Sequence, residues 1–331
     1  MMLLEDESGP RMENMSMVGS SFVFLGILEM EKYRIPYSIV FFFLYIIPTL
    51  LCCLMVYVIW VEESLHEPMY VFICNLLLNG VFGNAAFLPR LIVGLLSGSS
   101  TISFSECITQ TFCALTFSTV ELLTFTTMAY DRYLAVGNPL RYFSIMTNMK
   151  MVTFITVIWA VSFILILTLV MMTANLRFCG VNINNVYCDN MSLVRLACGD
   201  TSVNNLFGLV QMLLVLICAL LVIIYCYIRT LVICLKSSRS SSLKAINTLV
   251  SHIITFSVFM ITWLFVFLRY RLNGGNISIT FHVLLSIGGA LTSMIVNPIV
   301  YGLRTEALKL KLIHNLQKYK YLKHILTHSN C

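Results

Sequence analysis

Seven long runs, mostly apolar and almost free of charge, recur along the chain: Pro36 to Val61, Met69 to Pro89, Cys107 to Tyr130, Met151 to Leu176, Thr201 to Ile228, Ala245 to Leu268 and Leu272 to Leu303. Each is long enough to cross ~30 Å of hydrocarbon as a helix of about 20 residues. Inside them only Glu121 is an acid, and His252 and His282 are the remaining ionisable groups apart from tyrosines and cysteines. A soluble domain carries about a quarter of its residues as Asp, Glu, Lys and Arg; here the share is 11%, with 59% apolar. A membrane barrel would instead show alternating segments of about 10 residues, and none is present. The fold class is therefore an all-α membrane protein, a seven-transmembrane helix bundle.

An odd number of spans places the two termini on opposite faces. Thirteen of the 21 Lys and Arg fall on the face shared by residues 62–68, 131–150, 229–244 and 304–331. The excess of positive charge on cytoplasmic segments then sets the N-terminus outside and the C-terminus inside. Glu62, Glu63 and Glu67 make the first inner loop acidic, but acids weigh little in that rule. Met1 to Pro10 is acidic and has no apolar core of a secretory signal, so the first span is expected to act as its own insertion signal. The net charge of +6 follows from topology, and no basic soluble module exists to bind nucleic acid.

Three regions follow: a polar outer N-terminus over 1–35, a bundle over 36–303 and an inner tail over 304–331. The first contains the acceptor sequon Asn14-Met15-Ser16, with further sequons at Asn190 and Asn276. Asn14 is the expected glycosylation site. In the tail, leucines and Ile313 mix with Lys309, Lys311 and Lys318, the pattern of a short amphipathic C-terminal helix lying in the inner interface among membrane lipids. Between spans five and six, residues 236–244 mix serines with Lys and Arg. That segment is either a phosphorylation region or a solvated basic loop.

The loop from Thr173 to Asp200 holds Cys179, Cys188 and Cys198, and Cys107 opens span three on the same outer face. An oxidising compartment favours two disulfides among these four, with three pairings open. At the other end of span three, Asp131, Arg132 and Tyr133 arrive together after an almost charge-free helix. Such a group is either an interfacial anchor or an ion pair acting as a latch. Near the end of span seven, Asn297-Pro298 precedes Tyr301; the proline removes a backbone donor and kinks the helix, and the asparagine is placed to bond the freed groups.

With seven spans, Asp131-Arg132-Tyr133 and Asn297-Pro298-Ile299-Val300-Tyr301, the chain resembles the rhodopsin-like (class A) G-protein-coupled receptors. Leu65-His66-Glu67-Pro68-Met69-Tyr70, Met128-Ala129-Tyr130 before the triplet, Asn138-Pro139-Leu140-Arg141-Tyr142 and Lys244-Ala245 with Thr248, Ser251 and His252 are similar to the odorant receptors, over about Pro36 to His314. Asn79-Gly80 and Val56 to Tyr70 resemble the fish-type members. Departures lie at Cys52-Cys53, where the family has Gly-Asn, and at Gly80, where it has the Asp of an ion site. Leu249 replaces the usual Cys, and Ser293-Met294 the usual Pro-Pro.

The resemblance implies a receptor that binds a small odorant in the outer half and activates a stimulatory heterotrimeric G protein, raising cyclic AMP, at the plasma membrane. Arg132 would pair with Asp131 at rest and face the G protein once span six swings out, with Tyr227 and Tyr301 holding the open form. His252 is either a contact to span three or a neutral hydrogen-bonding residue. Glu121 is the ion-site candidate, or else a buried acid bonded within the bundle. Counting turns puts Thr111, Ala114, Leu115, Ser118 and Thr119 on the inner face of span three, and Gln211 is the polar candidate on span five. Met260, Trp263, Phe267 and Arg271 form one stripe on span six, where Arg271 would hold a carboxylate-bearing ligand. The alternatives are a non-olfactory rhodopsin-like receptor for another small ligand, disfavoured as an amine receptor because no acid stands at Ala114, or a transporter, which would want internal repeats or more charged pathway residues. No nucleophile–base set and no metal cluster occurs, so neither an enzyme nor a cofactor is expected.

Overall fold

The computed structural model describes residues 21–236, 239–271, 279–304, 308–311, 313–314 and 317; the side chains at 239–245, 247–248, 267–271, 279–286, 289–290 and 303–304 fall outside that description. Seven spans are present: span 1, Arg34–Val61; span 2, Pro68–Ala85 continued by Leu88–Ser97; span 3, Phe104–Gly137; span 4, Asn148–Ala174; span 5, Ser202–Lys236; span 6, Arg239–Arg271; span 7, Ile279–Arg304. Six contain apolar stretches long enough to cross a bilayer, and span 7 contributes the shorter apolar stretch Leu291–Gly302. Leu50, Leu221 and Ile261 are among many large apolar side chains left exposed on the outer surface of the bundle, an apolar coat suited to lipid and costly in water.

Local chemistry sets the ends of the spans. Pro68 stands at the first turn of span 2, where its missing N–H costs nothing. Pro89 begins a second piece and disfavours helical geometry just before it, so span 2 breaks at Ala86–Phe87 and runs on to Gly98, a left-handed cap with φ 70°. The apolar run expected to end at Pro89 thus continues for a further turn and more, taking in Arg90, whose guanidinium donates to the Thr101 carbonyl. The broken helix frees the Ala86 carbonyl, which Gln110 of span 3 satisfies at 3.1 Å. Span 3 opens earlier than Cys107, on a reciprocal cap: Ser103 accepts from the Glu106 N–H, and Glu106 accepts from the Ser103 N–H at 3.0 Å.

The face expected to lie outside is not purely loops, and residues 21–35 are not a free polar tail. Ser21–Phe24 forms a strand paired antiparallel to Thr101–Ser103 and parallel to Asn182–Ile183. Phe22 and Phe24 are fully buried beneath it, beside Cys107 and Cys188. The disulfides are Cys107–Cys188 and Cys179–Cys198, with Cα separations of 5.3 and 5.4 Å. Among the described residues seven cysteines are free, including Cys52 and Cys53. Asn14 and Asn276 lie outside the described residues. Asn190 does not: it opens a short helix, Asn190–Leu196, capped by Asp189, and its side chain accepts from Thr173 at 2.7 Å.

On the inner face, residues 308–311 are helical; Leu308 is buried in the inner core. Lys311 pairs with Glu62 of the first inner loop at 2.6 Å. One acid of the first loop thus meets one lysine of the tail.

Spans 2, 3 and 4 are held together by one directed chain of hydrogen bonds. Trp159 donates its indole N–H to Asn75 at 2.9 Å, Asn75 donates to Thr124 at 2.9 Å, and Thr124 donates to the Val120 carbonyl at 2.6 Å. Every polar group in that series finds a partner without water, as a low-dielectric interior requires. Close approach of spans 2 and 3 also depends on Gly83: a Cβ there would sit 2.5 Å from the Phe117 ring.

Candidate ligand pocket and inner latch

A cavity of about 230 Å³ opens in the outer half between spans 3, 4, 5 and 6 under the disulfide-bonded loop. Its span 3 wall includes Thr111, Ala114, Leu115, Ser118 and Thr119, the five residues expected there, with Leu122 added, and Gln211 and Trp263 also line it. Met260 does not. It lies below Trp263, packed in the inner core with Phe256 and Phe259, because span 6 turns Trp263 and Val266 toward the cavity instead. Phe267 and Arg271 fall outside the described side chains.

The loop supplies more of the wall than periodicity reveals. Tyr187, Asp189, Asn190 and Met191 line the cavity, and span 5 adds Asn204, Asn205 and Gly208. The Cys107–Cys188 bond, together with a 2.6 Å bond from the Cys188 N–H to Gln110, brings this loop over span 3. Asp189 accepts from the Ser192 N–H at 2.9 Å, from its hydroxyl at 2.6 Å and from Asn185 at 3.2 Å. The Cys-spaced loop was the sequence signal for these residues; which of them face inward depends on the short helix, which no periodicity announced. A smaller cavity of about 90 Å³ lies between spans 2, 3 and 6 and shares Ala114, Ser118, Tyr187 and Trp263 with the first.

Below the cavity, polar contacts descend between the spans. Glu121, fully buried, accepts from Asn297 of span 7 at 3.0 Å. The helix-two partner of an ion site is absent: at Gly80 a Cβ would stand 3.7 Å from the Met294 Cα, so spans 2 and 7 approach by backbone. Asn297 and Ser293 both turn hydrogen-bonding groups on the Glu121 carboxyl, and among the described residues no group of three His, Cys, Asp or Glu side chains gathers there. Cys53 faces outward while Cys52 is buried, its thiol 3.9 Å from the Met294 carbonyl.

At the inner end Arg132 pairs with Asp131 through Nη2 at 2.9 Å and Nε at 3.2 Å. Tyr142, from the loop after span 3, donates to the other oxygen of the fully buried Asp131 at 2.6 Å. That third partner was in the motif Asn138 to Tyr142, but its contact with Asp131 was not anticipated. The Tyr227 hydroxyl bonds His252 Nδ1, and His252 stacks edge-on against Phe125 of span 3, centroids 5.5 Å apart. Tyr301 bonds Thr255 of span 6 at 2.9 Å. Tyr133 packs on Tyr225, and Pro298 lies inside span 7. Spans 3, 5, 6 and 7 are thus tied together around Arg132.

Seven spans with a cavity in one half, an Asp–Arg pair closing span 3 and an Asn-Pro step inside span 7 define the architecture of a rhodopsin-like receptor. Residues 41–319 match the sequence profile of the olfactory receptor family. Human olfactory receptor 8U8 is 30% identical over 310 residues, covering 92% of this chain and 96% of the relative. Human olfactory receptor 52I2 is 31% identical over 325 residues, covering 97% and 91%, and mouse olfactory receptor 8U3 is 30% identical over 293, covering 88% and 91%. The chain belongs to the olfactory receptor family, a multi-pass membrane family of receptors and not of enzymes.

Proposed function

We propose that this chain is a plasma-membrane odorant receptor, N-terminus outside and C-terminus inside, that binds a small molecule in the outer cavity and activates a stimulatory heterotrimeric G protein, raising cyclic AMP. The observation that carries the reading is the placement of one cavity beside Trp263 above a series of separate polar contacts between the spans, Glu121–Asn297, Thr255–Tyr301, Tyr227–His252 and Asp131–Arg132. In this reading residues 36–303 form the receptor proper, and 304–331 the inner tail.

A ligand shifts the balance between two arrangements only by binding one of them better. Contacts to Trp263 and Val266 on one side and to span 3 on the other make the cavity sensitive to the position of span 6. Outward movement of span 6 would separate His252 from Phe125 and Thr255 from Tyr301. Arg132 is then free to leave Asp131 and meet the G protein. The expected carboxylate ligand rested on Arg271; the described wall of the cavity holds no Lys or Arg.

The test is cyclic AMP in transfected cells exposed to an odorant panel. A ligand-driven rise in the wild type that Arg132→Ala abolishes at equal surface expression supports the reading. Retention of the full rise in Arg132→Ala overturns it.

A further inference from the structure

The cavity wall carries two buried polar atoms, on different spans, that have no hydrogen-bond partner among the described residues. Thr111 is fully buried, and its hydroxyl has no hydrogen-bond partner. Most other hydroxyls along span 3 behave otherwise; Thr116 is also buried and without a partner among the described residues, but it does not line the cavity. Thr109, Ser118, Thr119, Thr124, Thr126 and Thr127 each donate to the carbonyl four residues earlier, the ordinary way a helix satisfies such a group. Across the cavity, the buried Oε1 of Gln211 also has no partner. Leaving a buried polar group unbonded is costly, and two of them facing one cavity point to a ligand that bonds both.

From these atoms we infer that the cavity is built for an alcohol, a compact apolar molecule carrying one hydroxyl group. The inference rests on the cavity being the ligand site. An amide oxygen only accepts, so Gln211 requires an O–H or N–H from the ligand, while the free Thr111 hydroxyl has a proton to give. A ligand hydroxyl does both with one atom: it donates to Gln211 and accepts from Thr111. An aldehyde, ketone or ester leaves Gln211 unbonded. An ionised carboxylate turns negative charge on the Gln211 oxygen, and no Lys or Arg of the described wall compensates it. An ammonium group can donate to both oxygens, but it leaves the Thr111 proton ungiven and brings a positive charge to a wall whose one acid, Asp189, already accepts bonds from Ser192 and Asn185. The remaining wall, with Leu115, Leu122, Ile166, Leu169, Leu209 and Val215, takes the hydrocarbon body.

The experiment measures binding without relying on coupling. Purified receptor in detergent is titrated, with thermal stabilisation as readout, against primary, branched and cyclic alcohols, each matched with its aldehyde or ketone, carboxylate and amine. The expected result is that the best alcohol binds at least about tenfold tighter than its matched carbonyl compound, carboxylate and amine, since a site that bonds a hydroxyl rejects analogues lacking it. Thr111→Val and Gln211→Met should each erase that preference while leaving the stability of the empty receptor near wild type, and Thr111→Ser should restore it. Equal or tighter binding of the matched carbonyl compounds, carboxylates or amines overturns the alcohol assignment but leaves the ligand site standing. A panel in which nothing stabilises the wild type removes both. Preservation of the alcohol preference in the double variant Thr111→Val with Gln211→Met also overturns the assignment.

Discussion

Tyr142 holds Asp131 from the side opposite Arg132, donating its phenolic hydrogen at 2.6 Å to the oxygen that the guanidinium does not use. Burial and the adjacent Asp131 push the Tyr142 hydroxyl above its ordinary range, so it remains a donor. Its proton is bound more tightly in the folded protein, so the stabilisation is complete below the ordinary value of 10.0 and fades only as pH rises beyond it. Tyr142→Phe should therefore weaken the hold on Asp131 by about 1–3 kcal/mol, with an effect flat across neutral pH. Basal cyclic AMP, normalised to surface expression, is expected to rise several-fold; an unchanged basal level would mean that Tyr142 does not restrain the latch.

Tyr301 and Thr255 separate stability from signalling. Thr255 can also give its hydroxyl to the Ser251 or His252 carbonyl, at 3.2 and 3.1 Å, so Tyr301→Phe leaves it satisfied. The cost in stability is about 1 kcal/mol. If Tyr301 also stabilises the open form, the evoked cyclic AMP maximum should fall far more than melting temperature indicates. Parallel losses in both readouts would reduce Tyr301 to a structural residue.

Asn75 should be among the least replaceable polar residues of the bundle. Asn75→Ala strands the Trp159 N–H and removes the donor to Thr124, two losses of about 1–3 kcal/mol each in a dry interior. Trp159→Phe strands only the Asn75 oxygen and should cost less in polar terms. Thermal unfolding of both variants in detergent checks the order.

Asn190 reads as a sequon but is built as a structural residue. Its side chain accepts from Thr173, which also accepts from Asn204 at 3.0 Å, on the cavity rim. Asn190→Gln should leave the glycosidase-sensitive gel shift unchanged yet alter ligand potency. A lost glycan would contradict this placement.

The two disulfides should differ in consequence. Cys107–Cys188 closes a separation of 81 residues and is fully buried beside the outer core, whereas Cys179–Cys198 closes 19. Loop-closure entropy grows only slowly with length, so the larger difference comes from what each bond positions. Cys107→Ser also releases the loop over Gln110 and should abolish surface expression; Cys198→Ser should leave expressed receptor with weakened ligand binding. Equal expression of the two variants would overturn this ranking.

The spans were legible because lipid imposes a simple demand: about 20 residues without charge, with backbone groups bonded internally. The phase of span 3 was legible too, since one continuous helix keeps its register whatever its first residue, and Thr111, Ala114, Leu115, Ser118 and Thr119 line one cavity. Ser103 with Glu106 is a capping pair three residues apart that marks the helix start ahead of Cys107. Met260 misled because a stripe at intervals of three and four is shared by a cavity wall and the packed layer beneath it. Other features depended on segments far apart in sequence. Asn75 and Trp159 are 84 positions apart, and strands of two to four residues carry no period of their own.

The outer sheet has its middle member at the very start of the described chain: Ser21–Phe24 sits between Thr101–Ser103 and Asn182–Ile183. During synthesis this piece must wait for both partners, the last of them made only after span 4. Deletions reaching Phe22 would pull out the keystone and leave two unpaired edges beside the Cys107–Cys188 bond.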